Sequence, residues 1–173
     1  MENKQFIFLA VVCVIAHIIR TIFEILKFRK IIKANKITFI LIFTVMILLW
    51  VSWFGLCEAD AHKINFPEFI KYTGLILSFA GVVMFLAALF TIKSLETYEG
   101  DLVTRGIYSK IRHPMYLAFI FWLAGFPVFC DSMYALILSL PLIVNVLFWR
   151  SLEEKELLKR FPGYAEYKKR TLF

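Results

Sequence analysis

Residues 37–57 read Ile37-Thr-Phe-Ile-Leu-Ile-Phe-Thr-Val-Met-Ile-Leu-Leu-Trp-Val-Ser-Trp-Phe-Gly-Leu-Cys57, 21 residues without a charge. At ~1.5 Å per residue a helix of that length crosses ~30 Å, the thickness of a bilayer's hydrocarbon core. The apolar residues leave no polar face for water, so the segment reads as a membrane span rather than one side of a soluble helix. A second run of 21 covers Tyr72–Ile92. Shorter runs follow at Pro114–Cys130 and Ser132–Trp149, with only Asp131 between them, so these two form a tight helical hairpin that Pro127 and Pro141 should bend. The first run, Gln5–Ile19, extends through Arg20 and Glu24 to about Leu26. It is too long for a signal-peptide apolar core, and no small-x-small cleavage site follows it. The expectation is an all-α integral membrane protein with five transmembrane helices and a cytoplasmic C-terminal amphipathic helix. It forms a single membrane domain over 1–173, with two N-terminal helices in 1–71 and a core in 72–173.

Composition agrees. Of 173 residues, 61% are hydrophobic and 19% charged, against roughly 45–50% apolar in soluble domains. So small a soluble fold could not bury them all, and disorder is excluded on the same ground. The net charge of +7 is distributed by loop. Lys27, Arg29, Lys30, Lys33 and Lys36 follow the first span, Lys93, Arg105, Lys110 and Arg112 the third, and seven basic residues lie from Arg150 onward, while the hairpin turn has none. Basic loops face the cytoplasm, which puts the N-terminus outside and the C-terminus inside. The same basic residues suit contact with membrane lipids, and nucleic acid is not expected as a partner. Cys13, Cys57 and Cys130 are odd in number and form no Cys-x-x-Cys pair, and His17, His62 and His113 lack metal-ligand spacing. Neither a disulfide framework nor a metal site is expected.

Two segments carry chemistry. The first runs Glu99-Gly-Asp-Leu-Val-Thr-Arg-Gly-Ile-Tyr-Ser-Lys-Ile-Arg-His-Pro-Met-Tyr116. Gly100 and Gly106 permit turns. Pro114 fits the first position of a helix, whose N-terminus would offer free N–H groups and a positive dipole end beside Arg112 and His113. That suits an anion. Spacing alone favours the plainer reading of Arg112 as a charge anchor and Tyr116 as an interfacial aromatic. The second segment is Arg150-Ser-Leu-Glu-Glu-Lys-Glu-Leu-Leu-Lys-Arg-Phe161. At ~100° per residue, Leu157, Leu158 and Phe161 make an apolar stripe that also contains Arg150 and Glu154, with Glu153 at its edge. A carboxylate aimed at the membrane domain is costly unless paired or used. An Arg150–Glu154 pair one turn apart is the simpler alternative. In the first span, Arg20 and Glu24 read as a pair or as snorkelling side chains, and His17 as a core histidine. Asn145 reads as a bond between helices.

Taken in order, Leu102-Val-x-x-Gly106-x-Tyr108, Arg112-His113-Pro114-x-Tyr116, a helical hairpin, Glu153-Glu154-x-x-Leu157-x-x-x-Phe161 and Tyr164-x-x-Tyr167 resemble the isoprenylcysteine carboxyl methyltransferase and phospholipid methyltransferase superfamily. The resemblance covers about residues 72–172. The stretch before Leu102 is shorter than usual there, and Phe161-Pro-Gly-Tyr164 replaces the commoner Phe-Gly-acidic-acidic-Tyr.

The resemblance implies an S-adenosylmethionine-dependent methyltransferase with a cytoplasmic cofactor pocket and a lipophilic acceptor entering from the bilayer. By matching position, Leu102, Val103, Gly106, Tyr108, His113, Pro114, Tyr116 and Glu153 would form the cofactor site, with Arg112, Glu154 and Arg150 at the reacting centre. No metal is implied. A carboxylate acceptor needs a cation to hold it, and Arg112 or Arg150 fits. An amine acceptor needs a base, and Glu154 fits. An isoprenylcysteine-type carboxylate is the acceptor the resemblance favours, with phosphatidylethanolamine-type N-methylation as the alternative. An NADPH-dependent lipid reductase with a similar Arg-His-Pro region and a non-catalytic membrane adaptor are the rivals from other classes.

Overall fold

A computed structural model describes residues 2–32, 35–92 and 102–173. Lys33, Lys93, Glu99 and the expected turn at Gly100 lie outside them. The described residues are helical: α1 (Glu2–Phe28), α2 (Lys36–Ala59), α3 (Glu68–Ile92), α4 (Pro114–Phe129), α5 (Met133–Arg160) and α6 (Tyr164–Arg170), with a 3₁₀ turn at Gly106–Ser109. Helices α1, α2, α3 and α5 are long and apolar enough to cross a bilayer, and α4 is a shorter apolar helix of 16 residues. Exposed apolar residues such as Phe8, Val11, Ile15, Ile18 and Ile22 run down one side of α1, and Phe79 and Phe90 lie outward on α3. So much exposed apolar surface belongs against lipid. The chain is a multi-pass membrane protein.

The helix starts are written locally. Asn35 caps α2 by accepting from Ile37 and Thr38 N–H, and Thr38 returns the bond to the Asn35 backbone. Pro114 stands at the start of α4. The Ser132 hydroxyl accepts from Ala135 N–H at the start of α5. Both hairpin helices continue through their prolines, Pro127 and Pro141.

One expectation changes. The charged segment from Arg150 is not a separate amphipathic helix but the end of α5, which runs unbroken to Arg160. The charge-free run stops at Trp149, yet a helix leaving the hydrocarbon has no reason to stop, because Ser-Leu-Glu-Glu-Lys-Glu-Leu-Leu-Lys is rich in helix formers. The separate helix beyond it is α6.

Three packings arrange the helices: α3 along α4, α1 along α2, and α5 against both α4 and α1. The α3–α4 contact is backbone-close. A Cβ on Gly74 would lie 2.6 Å from the Gly125 carbonyl oxygen, and one on Gly125 would lie 2.6 Å from that of Gly74. Small residues make such contact possible within a membrane.

At the hairpin end, the Asp60 carboxylate accepts from the Ser132 hydroxyl at 2.6 Å and from Tyr134 and His62 N–H at 2.8 and 2.9 Å. Burial opposes ionisation of Asp60, but these bonds prevail and hold its pKa below the usual value. Asp131 accepts from Phe66 N–H and pairs with Lys71 at 2.8 Å, tying the α2–α3 loop to the hairpin turn.

Candidate active site

At the opposite end of the helices, three separate pieces of chain converge: residues 102–116, the last turns of α5, and the tail from Tyr164. Glu154 faces the 102–116 segment from α5. Its Oε1 lies 3.2 Å from Arg112 Nε and 3.5 Å from His113 Nε2, and its Oε2 lies 2.7 Å from Lys168 Nζ. Glu154 is 8% exposed and His113 4%. A buried carboxylate is tolerable when cations surround it, as they do here. The described contacts give Glu154 these partners and not Arg150, so the simpler one-turn pairing is not the one formed.

Arg112 is spent on holding the tail. Its Nη1 donates to the carbonyl oxygens of Lys168 at 3.0 Å and Thr171 at 2.5 Å. Its backbone N–H donates to Leu172 O, and Leu172 N–H donates to Lys110 O. The tail is thereby strapped along residues 110–112. Tyr167 Oη donates to Tyr108 O at 2.5 Å, and Tyr164 Oη lies 3.2 Å from His113 Nε2. Burial pushes the His113 pKa below its usual value. The nearby Glu153 and Glu154 carboxylates oppose that push, and Arg150 and Arg112 add to it. Burial raises the pKa of the Tyr108, Tyr164 and Tyr167 phenols, which stay protonated.

These groups border a cavity of about 850 Å³. Its polar end is lined by Tyr108, Arg112, His113, Glu153, Tyr164 and Tyr167. It continues between α2 and α4 to an aromatic end at Trp50, Phe54, Phe85, Phe119 and Trp122. Trp50 meets the Trp122 ring edge-on with centroids 4.9 Å apart. Pockets for small organic molecules span ~300–1,000 Å³, so the cavity has room for a cofactor-sized molecule and part of a chain-like one.

Of the residues singled out in the sequence, Leu102, Val103, Tyr108, Arg112, His113, Tyr116 and Glu153 line this cavity. Four stand outside its wall. Gly106 adopts a positive φ of 59°, and a Cβ there would sit 2.8 Å from Thr91 Oγ1. Pro114 starts α4. Glu154 holds Arg112 and Lys168 from behind. The Arg150 guanidinium lies 4.5 Å over the Phe173 ring, and its buried Nε has no hydrogen-bond partner among the described residues.

Sequence reasoning did not single out Tyr164, Tyr167, Lys168 or Arg20 as site residues. The three-residue spacing of the two tyrosines places them on one helical face, the available signal for that pair. Nothing local marks Lys168 or Arg20, because their positions depend on how the tail and α1 dock. Asn145 bonds between helices as expected, with Nδ2 3.2 Å from His17 Nδ1 and Oδ1 3.0 Å from the Thr21 hydroxyl.

Residues 69–164 match the model of the phospholipid methyltransferase family. The chain is similar to the human protein-S-isoprenylcysteine O-methyltransferase, 34% identical over 137 residues that cover 69% of this chain and 46% of the relative. The mouse protein of the same name is 31% identical over 69% of this chain and 47% of the relative. A probable protein-S-isoprenylcysteine O-methyltransferase of Oryza sativa subsp. indica is 28% identical over 66% of this chain and 68% of the relative. The chain thus spans about half the length of the two mammalian relatives.

Proposed function

Because the chain belongs to the phospholipid methyltransferase family, we propose that it transfers a methyl group from S-adenosylmethionine to the carboxylate of an isoprenylcysteine-type acceptor held in the membrane. The observation that carries this reading is the two-ended cavity, polar and tyrosine-lined at one end and aromatic at the other. The names of the relatives support the acceptor class.

The polar end fits the donor's chemistry. A sulfonium cation is attracted by aromatic faces and by a carboxylate. Tyr108, Tyr116, Tyr164, Tyr167 and Glu153 supply both. When bound, the donor would supply an electrophilic methyl to the acceptor oxygen, with the carbon–sulfur electron pair left on sulfur and no proton to move. The protein's task is then to align the reactants and exclude water. The strap of Arg112 to Thr171 and Lys168 closes the polar end, and the α2–α4 aromatics hold the prenyl chain in line. His113, kept neutral by burial, bonds with Tyr164 and leaves the positive charge around Glu154 to Arg112 and Lys168. Glu154 acts through Arg112 and His113, fixing both.

An amine acceptor would need a base. Glu154 faces two cations and an imidazole, which makes it a poor one and favours the carboxylate acceptor. In the bilayer, α4 is the fourth of five spans, the N-terminus lies outside, and the Arg112–Glu154 corner faces the cytoplasm, the side that the basic loops favour.

Thermal shift of the purified protein tests the donor. S-adenosylhomocysteine should raise the midpoint and NADPH should not. A shift with NADPH alone would make the reductase reading the correct one, and no shift with either would favour the adaptor.

A further inference from the structure

The aromatic end of the cavity stops at one level on three helices. On α2 the lining runs from Phe39 to Phe54, and on α4 from His113 to Trp122. On α3, which runs the other way, the deepest lining residue is Phe85. Among the described residues, none of α2 after Phe54, of α4 after Trp122 or of α3 before Phe85 borders the cavity. Past that level the Phe54 and Phe126 rings meet edge-on with centroids 4.8 Å apart and fill the space. Ile47 and Val51 line the cavity and are also exposed on α2. Its side therefore faces lipid while its end is shut.

Trp122 forms that end, and it is held from behind. Its indole N–H donates to Ser78 O on α3 at 3.1 Å, and its own carbonyl accepts from the Trp53 indole N–H at 3.3 Å. Gly81, one turn along α3 from Ser78, makes room for the ring. A Cβ there would lie 2.7 Å from Trp122 Nε1 and 2.8 Å from Cδ1. On its other sides the indole meets Trp50 at 4.9 Å, Phe85 at 5.4 Å and Phe54 at 6.2 Å between ring centroids. A buried ring bonded at its edge and packed on three sides is a rigid plate, because close-packed neighbours leave it no second position.

We infer that Trp122, seated against Gly81, is the stop that sets the length of prenyl chain the protein accepts, and that this length is farnesyl. The inference rests on the proposed methyl transfer to an isoprenylcysteine and names which one. His113 and Trp122 are nine residues apart on the cavity wall. At the helical rise that is ~14 Å, the reach of three extended isoprene units and short of four. Lipid tails are as apolar as the cavity, so burying more chain adds little by itself. Discrimination comes from fit instead. A shorter chain leaves atoms of the wall without contacts, and a longer one must crowd a plate that does not yield.

The test is a competition in detergent. S-geranylcysteine, S-farnesylcysteine and S-geranylgeranylcysteine are mixed with the purified protein and methyl-labelled S-adenosylmethionine, and the labelled products give the ratios of kcat/KM. The wild type should favour farnesyl over each neighbour by about tenfold, the discrimination an apolar pocket reaches for a small change of size. Trp122→Leu opens the end and should move the farnesyl-to-geranylgeranyl ratio about tenfold toward the longer chain. Gly81→Ala pushes the indole into the cavity and should move the farnesyl-to-geranyl ratio toward the shorter one. A merely structural loss would lower all three rates together and leave the ratios where they were. Binding of S-adenosylhomocysteine reports that a variant is folded. If Trp122→Leu does not bind it, Phe54→Leu opens the same end from α2 and should give the same shift. Equal kcat/KM for farnesyl and geranylgeranyl in the wild type, or unchanged ratios in variants that bind S-adenosylhomocysteine, overturns the inference and leaves the methyltransferase reading standing. A wild type that labels none of the three overturns the proposed acceptor and the inference with it.

Discussion

Glu154 shows how one side chain can hold several pieces of chain at once. It meets Arg112 from the 102–116 segment, His113 at the start of α4 and Lys168 from α6. Removing its charge leaves two cations facing each other with no anion between them. Glu154→Gln keeps the shape and an acceptor oxygen, so the protein should stay folded by circular dichroism while methyl transfer is abolished. Full activity in that variant would remove Glu154 from the site's chemistry. The sequence made both partners legible as local motifs, Arg112-His113-Pro114 and Glu153-Glu154, because each breaks a local rule: an ionic group sits where an apolar one is expected. Which residues those motifs would meet was not legible. Arg112 and Glu154 are 42 residues apart, and only the fold-back of α5 under α4 joins them. The Arg150–Glu154 pairing suggested by helical spacing lost to three better-placed partners. Arg20 was hidden for the same reason, because its pairing with Glu24 is local and its place on the cavity wall is not.

At the scale of elements, charge-free runs placed every long helix, since within hydrocarbon a backbone must satisfy its own hydrogen bonds. What that rule cannot see is where a helix ends once it reaches water, and α5 ran past its apolar stretch for that reason. The α3–α4 contact makes a sharp prediction. Gly74→Ala or Gly125→Ala would drive a methyl group into backbone atoms 2.6 Å away. Backbone cannot step aside as a flexible side chain can, so each variant should lose about 1–3 kcal/mol of stability, visible as a lower thermal midpoint in detergent. At Gly163 nothing among the described residues lies within 4 Å of where an alanine methyl would sit, and Gly163→Ala should stay within about 0.5 kcal/mol of the wild type.

The hairpin clamp predicts a pH signature. The Asp60 carboxyl is held below its usual pKa, so its stabilisation is present above that usual value and is lost as pH falls through the lowered one. Asp60→Asn should therefore lower the thermal midpoint at neutral pH, by the worth of its bonds to Ser132 and Tyr134, about 1–3 kcal/mol. The gap between variant and wild type should begin to narrow below about pH 4, the ordinary aspartate range, and close as pH falls through the lowered value. A gap that persists unchanged at about pH 3, beneath that range, would mean that the Asp60 charge is not what holds the turn.

At the scale of the whole molecule, the two ends differ in kind. The Asp60–Ser132 end is tied by short polar clamps. The Arg112–Glu154 end opens into a cavity that runs from tyrosines and charges to a cluster of tryptophan and phenylalanine within the membrane-spanning helices. Composition made the membrane class readable from sequence, and loop charge supports the proposed direction of insertion. The cavity was not readable, because its aromatic lining comes from α2, α3 and α4 at once, and each of those residues taken alone looks like core or lipid-facing packing. That asymmetry is what a donor from water and an acceptor from lipid require, and it is the physical content of the methyltransferase reading. The most direct measurement is to incubate the purified protein with methyl-labelled S-adenosylmethionine, S-farnesylcysteine and phosphatidylethanolamine together, and to locate the label. The account predicts label on farnesylcysteine, released as methanol by mild base as a carboxyl ester must be. Base-stable label on the amine of phosphatidylethanolamine, or no label on either lipid from a protein that binds S-adenosylhomocysteine, would contradict it.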